Sequence, residues 1–186
     1  MIGLATWRAK RADKERAAEW AQDITRAARR RALFADLAVA DTLDGRFEMM
    51  ALHAGLTMRR LVGLGVEGRE AAQRLADAIF EGFDDAFRAM SIADAGVIKR
   101  QKKFGAAFYG RLAAYEPALA ARDREALRGA LARNVYGEAH PADAPQAGAL
   151  ADYALRAAAG LDAIDLAAFV DGSFTFPDAM APENVP

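Results

Sequence analysis

Two histidines, His53 and His140, and no cysteine are all that this 186-residue chain offers for metal ligation or for a soft nucleophile. Without thiols there is no disulfide, no thiolate catalysis and no cysteine-held metal. The histidines are far apart in sequence, and neither sits in an HExxH spacing that would put two ligands on one helix face. His53 lies in an apolar stretch, where a single histidine is more often a hydrogen-bonded core residue than a haem or metal ligand. Asp84-Asp85 invites comparison with the acidic pairs that hold magnesium on a diphosphate in helical prenyl-transferring enzymes. That comparison fails, because the third position after Asp85 is Arg88 and no second acidic pair recurs at matching spacing. Gly63-x-Gly65-x-x-Gly68 spells a dinucleotide fingerprint, but it follows a helical pattern instead of a strand. No phosphate-binding loop or nucleophile elbow occurs. The residues predict a protein that is not an enzyme, with no metal and no cofactor.

What remains is binding chemistry. Lys99, Arg100, Lys102 and Lys103 form a basic run flanked by Phe104 and Tyr109. It suits ribosomal RNA, acidic lipid headgroups or an acidic protein, or else it is a solvated helix face. Cations at the start of a helix are disfavoured by the dipole, so a partner for them is worth testing. Asp44-Gly45-Arg46 reads as a recognition corner or as a helix cap with a buried or half-buried Arg46–carboxylate pair. In Tyr109-Gly110-Arg111, a mid-helix glycine costs about 0.8–1 kcal/mol relative to alanine, which predicts close approach of another helix or of a bound segment. Met49, Met50, Met58 and Met90 fit either a core or an adaptable binding groove, because methionine repacks easily.

Helices must position these groups. Alanine, leucine and arginine dominate and β-branched residues are scarce. Ala17, Trp20, Ile24 and Ala27 recur at helical spacing within a helix expected over Asp13 to Arg31. Phe34 to Asp41 reads as a connector, and Thr42 or Asp44 can cap the next helix. Arg46 to Leu61 is apolar nearly all round, the mark of a bundle's buried centre. Gly63, Gly65 and Gly68 break it, and Glu67 to Met90 follows, with i,i+4 pairs Glu70–Arg74 and Asp84–Arg88. Beyond a turn at Ser91 to Gly96, helices are expected over Val97 to Tyr115 and Asp123 to Tyr136. A final pair, Gln146 to Ala159 and Leu161 to Val170, is broken at Gly160. The tail beyond Asp171 is expected to pack back through Phe174 and Phe176.

The chain is long enough for one domain with a real core, 53% hydrophobic and 27% charged. The expected fold is all-α, a single compact domain of about six to seven helices. Its charge divides it into a basic segment 1–31 (net +5), a helical core 32–137 (net +1) and an acidic pair and tail 138–186 (net −7). Such polarity suggests an anionic partner for the basic end, or two ends that attract each other. No apolar run approaches the roughly 20 residues of a membrane span. The early acidic residues Asp13, Glu15 and Glu19 argue against a transit peptide, so a cytoplasmic protein is expected, with peripheral contact to the inner membrane left open.

Three blocks resemble the ubiquinol–cytochrome c reductase (complex III) chaperone family. The first is Asp41-Thr42-Leu43-Asp44-Gly45-Arg46-Phe47-Glu48-Met49 with Leu52-His53 and Arg59-Arg60-Leu61. The second is Leu75 through Phe80, Phe83-Asp84-Asp85 and Arg88-Ala89-Met90. Lys99 through Phe104 with Ala107-Phe108-Tyr109-Gly110-Arg111-Leu112 makes the third, and Leu131 to Gly137 gives a shorter echo. Together they cover roughly residues 30–137. The chain departs from the family at Ser91-Ile92-Ala93 and at Ile98, where Gly-Val-Gly and proline are usual. The resemblance implies a helical, bacterial assembly chaperone that helps cytochrome b, or an accessory partner, enter complex III. A small partner protein and the ribosome are further implied partners, and no specific DNA. Candidate contacts are Asp44, Arg46, His53, Arg59, Asp84, Asp85, Arg88, Lys99, Lys102, Lys103, Tyr109 and Arg111. The alternative is a helical haem- or small-molecule-binding protein with His53 as its central ligand.

Overall fold

The helical periodicity is realised throughout. A computed structural model describes residues 4–89, 94–138, 144–172 and 174–179, with side chains described at 11–85 and, in the later spans, from residue 102 onward. The helices are α1 (Leu4–Ala28), α2 (Arg31–Ala35), α3 (Leu43–Gly63), α4 (Gly65–Ala89), α5 (Asp94–Ala121), α6 (Arg124–Val135), α7 (Gln146–Asp162) and α8 (Leu166–Val170). Among the described residues six helices have twelve residues or more, two have five, and there is no strand. The all-α expectation holds.

α3 is the axis, packed against α1, α4, α5, α6 and α7. Most of its apolar residues are enclosed: Met49, Ala51, Leu52, Ala54, Leu56 and Leu61 are all 1% exposed or less. Each leucine so buried contributes about 1.5–3 kcal/mol, which holds a central helix that has little polar surface of its own. Its start is fixed by Thr42, whose hydroxyl accepts from the Gly45 N–H at 3.2 Å. A side chain at Gly45 would overlap the carbonyl oxygen of Ala40, so glycine there lets the incoming chain cross the helix. At the other end Gly65 takes φ +87°, a left-handed conformation that folds α4 back onto α3.

Both ends of the chain join this core. α1 lays Ala17, Trp20, Ile24 and Ala27 inward, as the spacing predicts, against α3 and α4. The Trp20 indole N–H donates to the Phe169 carbonyl at 2.8 Å, and Arg16 donates to that of Val170. The tail returns as expected: Phe174 and Phe176 are buried, with Phe174 against Phe169 and Phe176 against His53. Arg30 fixes this strap, donating to the carbonyls of Phe176 (3.0 Å) and Pro177 (2.6 Å).

Several boundaries differ from the sequence reading. α1 ends at Ala28 and Arg31 opens a separate short helix. α5 runs past Tyr115 and through Pro117, because Ala118 and Leu119 are buried and α5 packs on α6, holding its last turn. α7 continues through Gly160, since Leu161 is a core residue. The break falls at Ala163–Asp165, where Asp165 accepts from the Ala168 N–H to start α8. Of the turn expected over Ser91 to Gly96, residues 91–93 lie outside the described residues, and Asp94 to Gly96 already belong to α5.

Candidate partner-binding site

An apolar cleft is built from the centre of the bundle. It lies between α3 and α5, has a volume of about 430 Å3, and is lined by Leu52, Leu56, Met58, Val62, Leu112, Ala113 and Leu119 with the ring of Tyr115. Val62 is 48% exposed and Ala113 is exposed, so the rim opens to solvent, whereas Leu52, Leu56, Tyr115 and Leu119 form a buried floor. The helical period of α3 puts Leu52, Leu56 and Arg59 on one stripe, and α5 answers with Leu112, Tyr115 and Glu116. Arg59 stands at the rim, donating to Asp162 of α7 at 2.9 Å, with its Nε 3.5 Å from Glu116.

Towards the start of α3 the same two helices are joined by charge. Arg111 forks onto Glu48 through three contacts of 2.7–3.1 Å. The Glu48 side chain is only 7% exposed and that of Arg111 28%. The hydrogen bonds to Glu48 outweigh burial and hold the Arg111 guanidinium even more firmly protonated than usual. Tyr115 follows one turn later. Burial is the main cause, and the Glu48 charge a second, of its proton being held well above the ordinary phenol range. Its hydroxyl makes no hydrogen bond of normal geometry, although the Asn134 side chain is close enough to oppose that rise.

His53 is not a surface contact, and this corrects its place among the candidates. It is fully buried. Its Nδ1 lies 2.7 Å from the Met49 carbonyl, which only accepts, so Nδ1 carries the proton and Nε2 accepts from the Tyr153 hydroxyl at 2.6 Å. Burial, with the Arg30 charge adding to it and the Met49 hydrogen bond opposing, lowers its pKa to about 4. Both nitrogens are occupied, so the ring has none to give to haem or metal. Burial likewise pushes the Tyr153 hydroxyl up to about 12, keeping its proton available for the bond.

The remaining candidates are dispersed. Asp44 is exposed in the first turn of α3. Arg46 pairs with Asp41 at 2.6 Å, and both are more than half exposed. They border a cleft with Arg29, Arg31 and Phe34. Asp84 (half-buried) and Asp85 (exposed) lie on α4 beside Lys14 and Glu81, away from the α3–α5 cleft. Lys102 and Lys103 are exposed, whereas the side chains of Arg88 and Lys99 lie outside the described residues, as does His140. Tyr109 is 48% exposed with its ring 6.1 Å from Phe80. Gly110 is open to solvent, and nothing lies within 4 Å of where its side chain would be, so no other helix of the chain approaches it. No group of three or more potential metal ligands occurs among the described residues, and no helix there is long and apolar enough to cross a membrane.

Sequence reasoning passed over Glu48, Tyr115, Glu116, Tyr153 and Asp162 as working residues. Only Glu48 carried a signal, as a lone carboxylate inside an otherwise apolar helix; its partner is 63 positions away.

Comparison with known proteins agrees with this architecture. Against curated proteins there is no match. Among solved structures, the Cbp3 homologue from Brucella abortus superposes with a TM-score of 0.82 at 34% sequence identity, covering 96% of this chain and 98% of that one. The family model for the ubiquinol-cytochrome C chaperone matches residues 35–176, from the end of α2 to the buried Phe176 of the tail. With most of its length inside that match and a solved relative aligned nearly end to end, the chain belongs to the ubiquinol-cytochrome C chaperone family.

Proposed function

We propose that this protein is an assembly chaperone of respiratory complex III that holds an apolar segment of newly made cytochrome b, or of an accessory partner, in the α3–α5 cleft. The observation that carries the reading is the cleft itself: an apolar recess with a buried floor (Leu52, Leu56) and an exposed rim (Val62, Ala113), at the centre of a helical domain whose family is one of chaperones. A client that will end in a membrane exposes apolar side chains before insertion, and a concave apolar surface shields them from water. The reading involves no catalytic step and no cofactor. The exposed Lys102 and Lys103 leave a second, basic surface for a ribosome, a small partner protein or an anionic membrane. The haem-binding alternative loses its central ligand, because Tyr153 takes the Nε2 of His53.

The test is affinity purification of the tagged protein from its native host, beside a variant carrying Val62→Gln and Ala113→Gln. Both positions are exposed and line the cleft, so the pair puts amides into it with the fold intact. Wild type is expected to recover a complex III subunit or assembly intermediate, and the variant to lose it. Recovery of neither by wild type contradicts the proposal.

A further inference from the structure

The cleft has an electrically distinct end. At its rim one guanidinium, Arg59, serves two carboxylates: Asp162, 2.9 Å away, and Glu116, 3.5 Å away. Three charges therefore sum to −1. Arg60, the next cation along α3, donates to the Ile164 carbonyl at 2.7 Å, just past the end of α7. Among the described residues Arg59 is the cation paired with Glu116, and the Glu116 side chain remains 52% exposed. α3 ends at Gly63, one turn after Arg59. Val62 at the same end is apolar and 48% exposed.

Apolar length with one negative end is the complement of a particular kind of chain. We infer that the occupant of the α3–α5 cleft is an apolar segment flanked by lysine or arginine, lying with its cationic flank against Glu116 and the C-terminal end of α3. This rests on the cleft being the client site and adds direction and selectivity to it. Membrane-spanning segments carry such flanks on the side that stays in the cytoplasm, where lysine and arginine are in excess. A cleft with this polarity grips a segment together with the flank that must not cross, and it disfavours one that ends in acidic residues. Glu116 recognises the flank, and Arg59, held by Asp162, keeps Glu116 at the rim.

Two synthetic peptides test the idea. They share one helix-forming leucine/alanine core, amidated and fluorescently labelled at the same end; one finishes in two lysines, the other in two glutamates. Binding to the full-length protein is followed by fluorescence anisotropy. The lysine peptide is expected to bind at least about fivefold more tightly, with the preference shrinking as salt rises from about 0.05 to 0.3 M. Glu116→Gln, an exposed and near-isosteric change, should remove most of the preference while leaving the glutamate peptide's affinity the same or better. Equal affinities in wild type, or a preference untouched by Glu116→Gln, overturn the polarity while leaving the cleft as a binding site. Binding of neither peptide overturns the cleft reading, and the polarity with it.

Discussion

Acidification should destabilise this protein through a single buried ring. His53 is completely enclosed and neutral, with a folded pKa of about 4, whereas an exposed histidine in the unfolded chain titrates near 6.5. Between those values the unfolded chain binds a proton that the folded chain refuses. Stability therefore falls as pH drops through the window from 6.5 to 4, and the contribution is fully present above it. At 1.36 kcal/mol per pKa unit, the full loss is about 3 kcal/mol, a large share of the roughly 5–15 kcal/mol of an ordinary domain. The assay is urea denaturation at several pH values from 7 to 4, on wild type and on His53→Gln. The glutamine replaces the ring with a side chain that does not titrate, and carboxylate protonation below pH 5 is common to both proteins. Wild type should lose about 3 kcal/mol more than the variant across the window, with most of the difference gained between pH 6 and 4.5. Parallel stability curves would refute the reasoning, because they would mean that His53 is as easily protonated inside as outside.

Other substitutions separate buried from exposed charge. Arg111→Met leaves Glu48 enclosed without its cation and should cost about 3 kcal/mol, while pairing it with Glu48→Met should recover most of that loss, both read from urea midpoints. Arg46→Met removes an equally short contact to Asp41, but one in full solvent, so thermal melting should be unchanged. Phe176→Ala empties the seat beside His53 and frees the strap held by Arg30. A loss of about 3–5 kcal/mol is expected, together with faster hydrogen exchange at the end of α7.

The bundle was legible where one side-chain pattern decides the outcome. Phe47, Met49, Leu52, Leu56 and Leu61 leave α3 no polar face, so its central place follows from composition alone. The return of Phe174 and Phe176 was equally readable, because two aromatics in a short polar tail need somewhere dry. Boundaries at Pro117 and Gly160 were misplaced for one reason: local propensity favoured a stop, and burial of Leu119 and Leu161 against neighbouring helices outweighed it. The candidate site was legible only in part. Arg59, Arg111 and Leu112 stood in the family-like blocks, but Glu116 and Asp162 reach the cleft from helices far along the chain, and no spacing rule links them to Arg59. Gly110 shows the opposite failure for packing within the chain: a mid-helix glycine suggested a neighbouring helix, and none approaches it.

The central claim is that the α3–α5 cleft holds the client. A photo-crosslinking amino acid at Ala113, inside the cleft and exposed, can be compared in the native host with the same group at Gln73, an exposed residue of α4 outside it. Adducts with newly synthesised cytochrome b, or with an accessory complex III protein, should form at position 113 and not at 73. Adducts at 73 alone, or none at 113 while the tagged protein still co-purifies with that client, would contradict the account and place the client on another face.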